Sequence, residues 1–170
     1  MEEIPVVSVV GCSGSGKTTF LEKLIAELKR RGHRVGTVKH TDHAVALDRS
    51  GKDTWRHARA GAEVVALAAP NGVRLVREMP DPAPAEVVAL LRGVDIVLTE
   101  GYKRGKWPKV LVYRSDAAPL PDKLPGGLLA VVSDVPLSTA APRFDLSDAA
   151  GVAGLIEDKI LKKARLVRSI

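Results

Sequence analysis

Eight consecutive residues, Gly11-Cys12-Ser13-Gly14-Ser15-Gly16-Lys17-Thr18, place four residues between two glycines and end in Lys-Thr. That spacing lets successive backbone N–H groups curl around a phosphate chain at the start of a helix, where the helix dipole also favours an anion. Lys17 would reach the β and γ phosphates and Thr18 would offer its hydroxyl to Mg²⁺, while Gly14 and Gly16 permit backbone angles that a Cβ penalises. The expected nucleotide-binding set is Gly11, Ser13, Gly14, Ser15, Gly16, Lys17, Thr18 and Thr19. A chance glycine turn would not need the strand-like run before it and the amphipathic helix after it. Cys12, the single cysteine, excludes an internal disulfide and reads as a small packing residue rather than a nucleophile.

A phosphate loop of this kind needs a carboxylate at the end of a neighbouring strand to hold Mg²⁺ directly or through water. The segment Asp95-Ile96-Val97-Leu98-Thr99-Glu100 offers one at each end. Ligands of open α/β sheets bind beyond the carboxyl ends of the strands, which selects Glu100 and leaves Asp95 as a turn residue.

The positioning elements follow from periodicity. Ile4 to Val10 is nearly continuous β-branched sequence, as in a strand buried on both faces. From Thr18, Phe20, Leu21, Leu24, Ile25 and Leu28 recur at helical spacing, and Gly32 after Lys29-Arg30-Arg31 supplies the stop. Val35 to Val38 reads as a strand, and Asp53 to Arg59 as a short helix. Glu63 to Ala68 and Val73 to Arg77, joined by Pro70-Asn71-Gly72, read as a hairpin. Pro80 to Pro84 is a linker and Ala85 to Leu91 a helix; Asp95 to Thr99, Val110 to Tyr113 and Leu128 to Ser133 are strands. A last helix is expected from a cap at Ser147 to about Leu161. Strands alternating with helices give an α/β fold, a P-loop NTPase with a mainly parallel central sheet flanked by helices and an inserted β-hairpin. The expected organisation is one domain over residues 1–163, the hairpin at 63–77, and a basic tail over 164–170. Apolar residues on both hairpin faces predict burial against a second subunit or beneath helices of the central sheet.

Lys39-His40-Thr41-Asp42-His43, then Asp48-Arg49-Ser50-Gly51-Lys52-Asp53-Thr54 and Ala60-Gly61-Ala62, resemble a signature of the MobB family, adaptor proteins of molybdopterin-guanine dinucleotide biosynthesis. Glu100-Gly101-Tyr102-Lys103 with Pro108-Lys109 is similar to the family's second signature, and the resemblance extends from the phosphate loop to about Asp148. Ala44-Val45-Ala46-Leu47 departs from it, standing where more polar or aromatic residues are expected. The resemblance implies GTP binding with Mg²⁺, a weak intrinsic GTPase and a homodimer. It also implies assistance to a MobA-type guanylyltransferase that joins GMP to molybdopterin. Carried over by residue are Gly11 to Thr18, Lys39 to His43, Asp48, Gly51 to Asp53 and Glu100. Lys39, His40 and Lys52 could neutralise phosphate or an acidic pterin, while Asp42, Asp48 and Asp53 could approach Mg²⁺ or orient water, with Asp48 joining Thr18 and Glu100 in the expected metal set. The Asn-Lys-x-Asp arrangement of regulatory GTPases is absent. Asp134, just after the strand ending at Ser133, is the best substitute for guanine recognition, since a carboxylate accepts from the N1–H and N2–H of guanine.

Rival classes share parts of this pattern. A small-molecule kinase would carry an arginine-bearing lid, whereas Asp116 to Gly127 is short and proline-rich. A metal-delivery GTPase is suggested by His40 and His43, against which stand one cysteine and four histidines. A purely structural interaction protein would show no stability response to nucleotide. The net charge of +6, from 26 Lys and Arg against 20 Asp and Glu, is scattered and carries few aromatics, which makes nucleic acid an unlikely partner. No apolar run approaches the roughly 20 residues of a membrane helix, and the acidic start Met1-Glu2-Glu3 is unlike a signal peptide, so a cytoplasmic location is expected.

Overall fold

Val6–Val10 (β1) is buried at all of its positions, as β-branched residues flanked by strands on both sides must be. In the computed structural model, which describes residues 4–117, 119–120 and 122–168, β1 runs through the glycine loop into Lys17–Arg30 (α1). Val35–Lys39 (β2), Asp53–Arg59 (α2), the hairpin Val64–Ala69 (β3) and Gly72–Arg77 (β4), and Pro84–Ala89 (α3) follow. Ile96–Glu100 (β5), Lys109–Tyr113 (β6), Leu128–Ser133 (β7), Arg143–Phe144 (β8) and Ala149–Ile156 (α4) come next. A π-helical turn over Glu157–Leu161 joins α4 to Lys162–Arg168 (α5).

Six strands form one parallel sheet in the order β2-β5-β1-β6-β7-β8, so β1 lies between β5 and β6. On one face Val7, Val9, Leu98, Val110 and Val132 pack with Phe20, Leu24 and Leu28 of α1 and with Val152 and Ile156 of α4. On the other, Val6 and Val97 meet Val88 of α3, while Val10, Leu111 and Val131 meet Leu124 and Leu137 of the loops. β3 and β4 pair only with each other, in an antiparallel two-stranded sheet. By packing, the described chain divides into two units: one combining residues up to His40 with those from Pro84 on, the other Thr41–Ala83. No helix among the described residues is long and apolar enough to cross a membrane.

Three details differ from expectation. Asp148, not Ser147, caps α4: its Oδ1 accepts from the Gly151 N–H at 2.8 Å, whereas the Ser147 hydroxyl is committed to Asp145 at 2.7 Å. β8 was not expected, because two residues carry no readable period. The C-terminal helix continues past Leu161 to Arg168, supported by an Asp158–Lys162 pair at 3.0 Å, so the segment read as a tail is helical to that point.

At the amino end of the sheet, Asp95 grips Arg34 through its backbone N–H at 2.8 Å and its guanidinium at 2.7 Å. The Arg34 side chain, helped by its backbone N–H, lowers the Asp95 carboxyl to about 2. This aspartate ties a turn together at the edge opposite the phosphate loop.

Candidate functional site

The loop after β1 is shaped by close approach. A Cβ on Gly11 would press on the Val112 carbonyl of β6 and stand 2.7 Å from Ser15 Oγ. Gly16, at φ 88°, is left-handed and caps α1, turning the chain so that the helix N-terminus opens onto the loop. Lys17 Nζ donates to the Cys12 carbonyl at 2.6 Å, which draws the lysine across the loop. Ser15 is fully buried, and its Oγ has no hydrogen-bond partner among the described residues.

Glu100 ends β5 at the same edge. Thr18 Oγ1 donates to its carboxylate, at 3.1 and 3.2 Å from the two oxygens. The strands bring these residues together: Val9 of β1 is in register with Glu100, as is Lys39 of β2 from the other side. His40 follows, its N–H donating to the Glu100 carbonyl at 2.9 Å. The loop, Thr18, Glu100, Lys39 and His40 thus share one edge of the sheet.

Asp134 stands beyond β7, further along that edge. Its carboxylate accepts from the Ser115 N–H at 3.0 and 3.2 Å and from the Ser115 hydroxyl at 2.8 Å. The Ser115 hydroxyl is the first cause holding the Asp134 carboxyl below the ordinary range, so at neutral pH it is an ionised acceptor. Asp48 and Lys52 belong to the Thr41–Ala83 unit. There Asp48 accepts from Thr54 and from the Arg49 N–H at 2.8 Å and lies 3.6 Å from the Arg74 guanidinium, all of which lower its carboxyl, Thr54 most. Lys52 occupies the N-cap position of α2 without a side-chain cap bond. In the same unit Val45, Leu47, Trp55, Ala58, Val65 and Val76 help line a cleft of about 430 Å³.

Several neighbours had no individual role assigned from sequence: Tyr102, Trp107, Lys109 and Arg114. The rings of His40 and Tyr102 lie 4.4 Å apart, and Tyr102 meets Trp107 edge-on at 5.6 Å. Tyr102 has a left-handed backbone, φ 51°, a conformation that a non-glycine residue adopts at some cost. Lys109 is buried, its Nζ donating to the carbonyls of Gly105 at 2.6 Å and Trp107 at 3.1 Å, and so fastens the β5–β6 connection. Arg114, directly after β6, reaches towards Gly16: its Cδ lies 3.7 Å from where a Cβ on that glycine would stand. Its position beyond the carboxyl end of a parallel strand was the available signal.

A parallel sheet whose central strand enters a Gly-x₄-Gly-Lys-Thr loop at a helix N-terminus, with a carboxylate closing the next strand, is the P-loop NTPase fold. Residues 6–134 match the MobB family, described as molybdopterin guanine dinucleotide synthesis protein B. The chain is 38% identical over 160 residues to a molybdopterin-guanine dinucleotide biosynthesis adapter protein of Haemophilus influenzae, covering 92% of this chain and 89% of that one. The adapter protein of the same description from Escherichia coli is 34% identical over 167 residues, covering 94% and 95%. Among solved structures, a MobB homolog from Bacillus stearothermophilus superposes with TM-score 0.68 at 32% identity, over 95% of this chain and 98% of that one. This chain belongs to the MobB family.

Proposed function

We propose that the chain is a GTP-binding adaptor in molybdopterin guanine dinucleotide biosynthesis. In this reading it assists a MobA-type guanylyltransferase that joins GMP to molybdopterin, and hydrolyses GTP slowly if at all. The observation that carries the nucleotide reading is the Thr18 hydroxyl set against the Glu100 carboxylate beside the glycine loop. Those are hard oxygen donors of the kind Mg²⁺ takes, and Gly11, where a Cβ would meet the Val112 carbonyl, lets the loop pass close to β6. Among the described residues no three His, Cys, Asp or Glu side chains gather, so phosphate and water oxygens would complete the shell of a cation held there. Bound Mg²⁺ would neutralise charge on the terminal phosphates. The chain's own part is to wrap the phosphates with loop N–H groups, to neutralise them with Lys17 and Lys39, and to read the base with Asp134.

The adaptor role is tested with purified guanylyltransferase, molybdopterin and Mg·GTP. Adding this chain should raise the yield of guanine dinucleotide, and an unchanged yield at saturating chain would contradict it.

The hairpin supports assembly as a homodimer. In register, Val64, Ala66 and Ala68 of β3 share a face with Leu75 and Val73 of β4, and Val64, Val73 and Leu75 are 46%, 72% and 56% exposed. Leu67, on the other face, is 53% exposed. Apolar side chains left so open on a two-stranded sheet are a surface for a second copy, and C2 dimers are the commonest closed assembly. Mass in solution should fall to that of the monomer for Leu75→Lys or Leu67→Lys with nucleotide binding retained. Wild-type protein that is monomeric at micromolar concentration would end the dimer proposal.

A further inference from the structure

We infer that Arg114 lays its guanidinium plane on the purine base of the bound nucleotide, as a base-positioning residue outside the phosphate motif. This rests on reading Gly11–Thr18 as a nucleotide site.

The direction in which a nucleotide must lie follows from the sheet order. β1 lies between β5 and β6, and the Thr18–Glu100 oxygens that suit Mg²⁺ are on the β5 side. With the terminal phosphates towards those oxygens, the α-phosphate and the nucleoside would leave the loop on the opposite side, over the ends of β6 and β7. Arg114 is the first residue beyond β6, with its stem 3.7 Å from the Cβ position of Gly16. The next residue, Ser115, holds Asp134 by its N–H and hydroxyl. Arg114 is therefore placed between the phosphate loop and the carboxylate suited to guanine, the span a purine and its ribose would occupy.

Its chemistry suits a planar ring. The side chain is 43% exposed, and Nη2 donates to Asp116 Oδ2 at 2.6 Å. Asp116 thus holds one edge of the guanidinium of a partly exposed side chain, and a held, weakly hydrated plane stacks on an aromatic ring at small entropic cost. Asp116 engages only Nη2 of the guanidinium's five N–H donors, so stacking on the base is separated from pairing with a phosphate by the response of tripolyphosphate. The Arg114 charge also adds to the effect of Ser115 in keeping Asp134 ionised.

The test is titration of wild type, Arg114→Ala and Arg114→Lys with Mg·GTP, Mg·GDP and inorganic tripolyphosphate. Arg114→Ala should weaken GTP and GDP alike by about tenfold while leaving tripolyphosphate within about twofold, and Lys should not restore GTP. Equal weakening of tripolyphosphate, full rescue by Lys, or unchanged GTP affinity would each overturn the stacking role. Failure of the wild type to bind either GTP or tripolyphosphate would instead overturn the nucleotide-site reading beneath it. Because Arg114 is half-exposed, the melting temperature without ligand should stay at the wild-type value, and Arg114→Gln provides a second neutral variant of closer size.

Discussion

Lys17→Ala is expected to weaken Mg·GTP by about 2–4 kcal/mol, roughly 30-fold to 1,000-fold, while the ligand-free protein melts close to the wild type. The lysine carries the loop's one full charge, and its Nζ donates to the Cys12 carbonyl at 2.6 Å. Exchanging that neutral acceptor for phosphate oxygens turns an ordinary hydrogen bond into charge-assisted ones, which are about twice as strong. The folded state loses only the contact to Cys12, at the edge of the core. Isothermal titration of both proteins decides the matter: unchanged GTP affinity in Lys17→Ala would remove the loop as the phosphate site.

Gly11→Ala should do damage of a different kind, to the site and the fold together. The new methyl would stand 2.7 Å from the buried Ser15 Oγ and press on the Val112 carbonyl, which is backbone in a central strand and cannot swing aside. Either β1 separates from β6 or the loop shifts, and overpacking of this sort costs about 1–3 kcal/mol. A displaced loop no longer presents its N–H groups to one point, so GTP affinity should fall at least about tenfold even where the protein stays folded. Denaturant unfolding and nucleotide titration of the same variant read the two effects separately. A stable variant with normal GTP affinity would show that the tight approach at Gly11 is not what shapes the loop.

The two changes mark what could be read from the chain and what could not. The phosphate loop was legible because its requirements are local: glycines, Lys17 and Thr18 are contiguous, and the strand and helix that present them announce themselves by period. Glu100 was legible through one rule of position, the carboxyl end of a parallel strand. Arg114 was not, because its approach to Gly16 joins residues far apart in sequence and exists only once β6 is known to lie beside β1. The Ser115 clasp on Asp134 depends likewise on β6 and β7 being neighbours. Ser147 and Asp148 are both good caps in sequence, and the choice fell to Asp148 because Asp145 engages the serine. The hairpin was found where Pro70-Asn71-Gly72 put it, with Ala69 and Gly72 paired and Pro70-Asn71 connecting the strands. Its lack of alternation predicted burial on both faces; β3 and β4 pair only with each other, and Val65 is buried while Val73 and Leu75 are exposed.

GTP binding through this loop, with Asp134 choosing the base, is tested most directly by the rise in melting temperature that GTP and ATP produce with Mg²⁺, in the wild type and in Asp134→Asn. A ligand that binds only the native state stabilises it by RT ln(1 + [L]/Kd). The wild type should gain more from GTP than from ATP at equal concentration. Asp134→Asn should lose about 1–3 kcal/mol of the GTP affinity relative to ATP, because an amide replaces an ionised acceptor that two guanine donors would share. Equal shifts with GTP and ATP in the wild type, or equal losses of both in Asp134→Asn, would contradict guanine selection by Asp134, and no shift with either nucleotide would contradict the nucleotide site itself.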